Sequence, residues 1–167
     1  IIGGMGVGKT TLCKALHRSG LRCIYEQKQQ NPYLDLSYKN PKQFGFYSQL
    51  AIITSNFHTV SRYSGRNGIT FLDFSTLTDR AYASMFLRGR ARDLALETID
   101  YLEQKEGAAD LYLHLNCSLD VQVRRIRSRK RSHERRVGPK FLTRLNSHIE
   151  HFVTLAERRG ARILTVD

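Results

Sequence analysis

The stretch Ile1–Leu12, IIGGMGVGKTTL, decides how the rest of the chain is read. Two β-branched residues lead into glycines at positions 3, 4, 6 and 8 and then into Lys9-Thr10-Thr11. Gly3 to Thr10 fits G-x-x-x-x-G-K-S/T with the flanks that pattern needs, an apolar strand end before it and a helix start after it. Residues without a Cβ let the backbone wrap, so that successive N–H groups point inward at one small anion. The N-terminus of the following helix adds its positive end. In such a loop Gly3-Gly4-Met5-Gly6-Val7-Gly8-Lys9-Thr10-Thr11 cradles phosphates, Lys9 bridges the terminal ones and Thr10 ligates Mg²⁺. The pattern points to a nucleoside triphosphate at a strand-to-helix turn. It does not distinguish a kinase from a GTPase or a motor ATPase.

Beyond the loop, strand-like and helix-like stretches alternate. Thr10 to about Arg18 has helical character, with Leu12 and Leu16 one turn apart. LRCIY (21–25) is a short strand, and Pro32 and Pro41 confine any helix between them. Phe46–Tyr63 is predicted as a long helix, ITFL (69–72) as a buried strand ending in Asp73, and Asp79–Glu106 as another helix. LYLHL (111–115) alternates as a strand and leads into a helix through the basic run. Phe141–Arg159 is amphipathic, and RILTV (162–166) is a last strand. Strands alternating with helices imply crossover connections and a parallel sheet covered on both faces. The expected fold is a three-layer α/β domain of the P-loop NTPase kind, about five parallel strands flanked by helices, spanning 1–167 as one unit.

Bulk properties bound the partners. A formal charge of +12 over 167 residues favours anions: nucleotides, nucleic acid or an acidic membrane surface. No apolar run is long enough to span a bilayer, and no RNA-recognition or zinc-knuckle pattern is present, so nucleic acid is not the favoured partner and a membrane is not expected. Cys13, Cys23 and Cys117 lack metal or disulfide spacing and read as free thiols of a reducing compartment. The expected location is the cytoplasm, or the mitochondrion if a transit segment has been lost. The chain opens at Ile1 inside an apolar stretch, which suggests a truncated N-terminus.

RRIRSRKRSHERR (124–136) is the strongest local charge, and most of its cations are arginine. Guanidinium forks neutralise phosphoryl oxygens bidentately, so the run is a natural arginine-rich helical lid, about 124–137, over a bound triphosphate.

The residues between 26 and 49 make the reading specific. Glu26, then Asn31-Pro32-Tyr33-Leu34, Tyr38-Lys39-Asn40-Pro41-Lys42 and Phe46-Tyr47-Ser48-Gln49 resemble the deoxynucleoside kinase family in order and spacing. Asp73-Phe74-Ser75 with Asp79-Arg80 resembles its acidic-Arg-Ser motif, and the run from Arg125 to Glu134 its lid. The resemblance covers essentially the whole chain. It implies an ATP·Mg²⁺-dependent kinase acting on the 5′-hydroxyl of a small-molecule nucleoside or deoxynucleoside, with two copies forming a homodimer. It implies Glu26 as the general base and Thr10 with Asp73 as Mg²⁺ ligands. Gln49 and Asp79 would read the base, and Tyr38 and Glu134 would hold the sugar. Arg125 would lie against the donor adenine, and Arg129 and Arg131 would contact the phosphates.

The chain also departs from the pattern. Phe74 stands where the family has arginine, with Arg80 as a substitute if it turns inward. Asn56 stands where an arginine partner for Asp79 is expected, Ala83 where an aromatic walls the base pocket, and Gln27 where a proline follows the base. Two other readings fit the same residues: a catalytically weak or inactive kinase-like subunit of a larger assembly, or a nucleoside monophosphate kinase.

Overall fold

The computed structural model describes residues 1–63, 67–129 and 137–167. Among these residues four short strands form two parallel pairs. β1 (Arg22–Ile24) pairs with β2 (Thr70–Leu72) in the register Arg22↔Thr70 to Ile24↔Leu72. β3 (Tyr112–Leu115) pairs with β4 (Ile163–Val166) from Tyr112↔Ile163 to Leu115↔Val166. The dipeptide Ile1–Ile2 joins the pairs into one sheet. Ile2 donates its N–H to the Leu113 carbonyl (2.8 Å) and accepts from Leu115 N–H (3.0 Å), in a parallel bridge with His114. On the other side the Ile1 nitrogen donates to the Leu72 carbonyl at 2.7 Å. The order across the sheet is therefore β1, β2, Ile1–Ile2, β3, β4, the five-membered parallel sheet that the alternation predicts.

Among the described residues, seven α-helices surround it: α1 (Lys9–Arg18), α2 (Leu34–Lys39), α3 (Pro41–Ser61), α4 (Thr76–Phe86), α5 (Gly89–Glu106), α6 (Leu119–Ser128) and α7 (Pro139–Arg158). Local chemistry sets several starts. Asn40 accepts from Gln43 N–H with Pro41 in the first turn of α3, and Ser75 accepts from Thr78 N–H at the start of α4.

The period-2 alternation of the strands sorts side chains to two faces. Ile2 and Tyr112 join Leu77, Ala81 and Met85 of α4 and Leu145, Ile149 and Val153 of α7 in one core. Ile1 and Leu115 join Val7 and Cys13 on the opposite face, with Phe71 and Leu113 packed against them. A third cluster, Ile53, Phe57, Ala83, Leu87, Ala95 and Ile99, ties α3, α4 and α5 together. The cysteines are free, and burial pushes the Cys13 thiol up to about 12. Among the described residues, no helix is long and apolar enough to cross a membrane.

Two expectations are corrected. The single helix over Asp79–Glu106 is two helices, because Leu87 and Arg88 are extended and Gly89 takes φ +51°. Arg88 seals the break: its guanidinium donates to the carbonyls of Ser84, Met85 and Leu87 at the end of α4. The helix expected through the basic run ends at Ser128 with Arg129 as its cap; residues 130–136 lie outside the described residues.

Leu145 is fully buried where α7 meets α4. Leu145→Ala is expected to cost about 2–5 kcal/mol of unfolding free energy in a urea titration. The same truncation at exposed Tyr101 should stay within about 0.5 kcal/mol.

Candidate active site

Three segments leave the sheet side by side: the loop after Ile2, Tyr25–Lys28 after β1, and Asp73–Ser75 after β2. They open onto a cavity of about 260 Å³, closed on the far side by α2, α3 and α4. This is the crevice at strand carboxyl ends where open α/β sheets bind ligands.

The phosphate loop is wound tightly enough to exclude side chains. A Cβ on Gly3, at φ +143°, would sit 2.5 Å from the Leu115 carbonyl oxygen, and one on Gly6, at φ +82°, 2.9 Å from that of Gln122. Met5, Gly6, Gly8, Lys9 and Thr10 line the cavity; Thr11 is exposed on the first turn of α1. Leu12 N–H bonds to the Gly8 carbonyl, so the N–H groups of Lys9, Thr10 and Thr11 precede the first helical bond. Lys9 Nζ donates to the carbonyls of Gly3 (2.7 Å) and Gly4 (3.0 Å). Burial, and then nearby Lys28, lower its pKa to about 8. Arg125, on α6, clamps the loop by donating to the carbonyls of Gly6 and Val7 at 3.2 and 2.9 Å. Arg129 lines the cavity beyond it.

Thr10 Oγ1 donates to Asp73 Oδ2 at 2.6 Å. Asp73 Oδ1 is buried without a hydrogen-bond partner, and burial raises the carboxyl's pKa. An orphaned buried carboxylate oxygen beside a hydroxyl suits a hard divalent cation that draws its remaining ligands from phosphates and water. The residues present fit Mg²⁺ in that manner. No group of three His, Cys, Asp or Glu among the described residues forms a self-sufficient metal cage.

The other half of the cavity carries Glu26, Tyr38, Gln49 and Asp79, with Lys28 beside Glu26. Glu26 follows β1 and lines it, with its Oε2 2.9 Å from Lys28 Nζ. Tyr38 reaches it from α2, and Gln49 from α3. Asn31 anchors this corner by donating to the Ser48 carbonyl and hydroxyl (3.0 and 3.1 Å) while accepting from Tyr33 N–H. Gln49 and Asn56, two helical turns apart, are both buried on one face of α3. Asn56 Nδ2 donates to Asp79 Oδ2 at 3.1 Å. Asp79 itself is 4% exposed; burial, reinforced by Glu26, pushes it up to about 7.

Several expectations change in detail. Arg80 does not turn inward to replace the missing arginine: its guanidinium pairs with Asp100 and Glu103 of α5, which hold it outside the cavity. Phe74 is buried and lines the cavity with an apolar ring. Ala83 packs into the α3–α4–α5 core. The aromatic wall is Tyr82 with Phe86, stacked at 6.0 Å with rings 6° apart. Arg131 and Glu134 lie outside the described residues.

Lys28 and Phe86 escaped the sequence reading. Phe86 had a signal, since it falls one helical turn after Tyr82. Lys28 had only its closeness to Glu26. Its ammonium lies 5.7 Å from the centre of the Tyr82 ring. Burial alone would lower its pKa, but Glu26 outweighs that and holds it above the ordinary lysine range.

Sheet order and wrapped glycine loop define a P-loop fold with a polar cavity beside the loop. The family model described as deoxynucleoside kinase matches residues 1–167, and the chain belongs to that family. A deoxyguanosine kinase of Lactobacillus acidophilus is 30% identical over 149 residues, covering 79% of this chain and 62% of the relative. A deoxyadenosine kinase of Dictyostelium discoideum is 29% identical over 161 residues, covering 92% and 65%. The chain thus spans just under two thirds of these relatives' length. A solved deoxyadenosine kinase from M. mycoides with bound dCTP superposes with a TM-score of 0.82 at 21% identity, over 99% of this chain and 87% of that one, which shows the shared fold.

Asp79 makes stability depend on pH. An unfolded aspartate releases its proton near 3.8, whereas folded Asp79 keeps it to about 7. Between those values the folded state binds the extra proton, so stability falls as pH rises. Asp79→Asn is expected to flatten that fall, by up to about 1.4 kcal/mol for each unit the two pKa values differ, in denaturant titrations run across the window.

Proposed function

We propose that the protein transfers the γ-phosphoryl group of ATP to the 5′-hydroxyl of a nucleoside or deoxynucleoside. The observation that carries this reading is the shared cavity: Lys9 and Thr10 line it together with Glu26, Tyr38, Gln49 and Asp79. A phosphate grip and an acceptor site thus face one another across one small space. The acceptor side suits an uncharged nucleoside better than a monophosphate, whose dianion would meet Glu26.

In this mechanism the loop's N–H groups and Lys9 bind the donor phosphates. Arg129 and, by family likeness, Arg131 supply charge to the equatorial oxygens, and Arg125 keeps the loop in shape. Mg²⁺ held by Thr10 and Asp73 would neutralise phosphate charge. Glu26 accepts the proton of the 5′-hydroxyl as the O5′–P bond forms, the bond from Pγ to the bridging oxygen breaks, and ADP departs. Gln49, with the Asn56–Asp79 pair, presents donors and acceptors to a base edge, against the Tyr82–Phe86 wall. Tyr38 and Glu134 would hold the sugar. The relatives named above are deoxyguanosine and deoxyadenosine kinases, which makes purine deoxynucleosides the first acceptors to assay. By the same likeness two copies would pair through helices flanking the sheet.

Phe74 and the outward-facing Arg80 favour one second reading, a kinase-like subunit with weak or no turnover. The base assignment is tested by Glu26→Gln. Turnover is expected to fall about 10²–10⁴-fold, while ATP affinity by calorimetry stays within about threefold. Unchanged turnover in that variant would remove Glu26 from its role.

A further inference from the structure

The acceptor side needs a cation that its sequence motif does not provide. The family places an arginine directly after its acidic motif residue, and here that position is the buried ring of Phe74. The next arginine, Arg80, is taken by Asp100 and Glu103. Arg125 is spent on the carbonyls behind the phosphate loop, and Lys9 on those of Gly3 and Gly4. Among the described residues lining the cavity, Lys28 is the cation that directly meets an acceptor-side carboxylate, 2.9 Å from Glu26 Oε2.

Its setting is built rather than incidental. Lys28 opens the 3₁₀ turn Lys28–Gln30, which brings its side chain back toward Glu26 two residues earlier. On the other side its ammonium lies over the Tyr82 face, and Tyr82 is braced by stacking on Phe86. Loop, α4 and general base are thereby tied at one point.

We propose that Lys28 is the positioning residue for Glu26, supplying from the β1 side the charge that the family draws from the arginine after its acidic residue. This rests on the kinase reading above. The contact is made through Oε2, and the proton of the incoming hydroxyl would go to the carboxylate's other oxygen. The pair also contributes to fold stability, since Glu26, itself 15% exposed, holds Lys28 above the ordinary lysine range. The Lys28 side chain is 42% exposed, however, and ion pairs with a solvated partner contribute little to stability. A large effect on turnover with little effect on unfolding therefore separates positioning from scaffolding.

The experiment compares wild type, Lys28→Met and Lys28→Arg with ATP, Mg²⁺ and a panel of purine deoxynucleosides, measuring kcat, both KM values and the thermal midpoint. Lys28→Met is expected to lower kcat about 30-fold or more, with KM for ATP within about threefold. The thermal midpoint should move by no more than a few degrees. Lys28→Arg should recover most of the loss, because a guanidinium can still hold the carboxylate. A kcat unaffected by Lys28→Met overturns the inference and leaves the kinase reading standing. So does a loss carried by KM for ATP, which would make Lys28 a donor-phosphate ligand, and so does an arginine variant no better than methionine. Wild type that phosphorylates no acceptor overturns the kinase reading itself, and the inference falls with it.

Discussion

The structure turns on two residues of backbone. Ile2 is hydrogen-bonded to β3, and Ile1 reaches β2 from the other side, so this short segment lies at the middle of the sheet. Its carboxyl end is where the phosphate loop begins. Parallel neighbours end at the same edge, which sets Glu26 just beyond β1 and Asp73 just beyond β2 beside that loop. Without the central dipeptide the two strand pairs would share no ladder, and the glycine loop, Glu26 and Asp73 would have no common edge.

Electrostatics follow from that crowding. Three carboxylates and two lysines share one small cavity, and burial works against each charge it holds. Asp73 and Asp79 are raised and Lys9 is lowered, in each case with burial as the largest cause. Such a site is poised for an anionic ligand with its cation, which would bring opposite charges to the lysines and to Asp73. The acceptor half differs, because its carboxylates already have partners in Lys28 and Asn56. Under the proposed reading, a neutral acceptor would meet no uncompensated charge there.

Much of this was legible in the sequence where chemistry is local. The glycine spacing gave away the loop, and the position of Glu26 and Asp73 directly after strand-like runs gave away their edge. Asn56, seven after Gln49, was read only as standing where an arginine was expected; that both are buried on one face of α3 came from the structure. What was illegible depended on partners distant in the chain. The direction of Arg80 is decided by Asp100 and Glu103, twenty or more residues later. The break between α4 and α5 depends on Arg88 satisfying three carbonyls, a geometry that apolar periodicity does not encode. Lys28 was not singled out, because only the 3₁₀ turn decides that it folds back onto Glu26; Tyr82, adjacent to Ala83, was legible as the aromatic, whereas its stacking on Phe86 was not.

In the proposed reaction, phosphate grip and acceptor site act together on one pair of molecules. The most direct measurement incubates the protein with ATP, Mg²⁺ and each of a set of nucleosides and deoxynucleosides, and identifies the products by phosphorus NMR. The expected result is a nucleoside 5′-monophosphate formed in equal amount to ADP with at least one acceptor, and no ADP without one. ADP released at the same rate with and without acceptors, or no ADP with any of them, would contradict it.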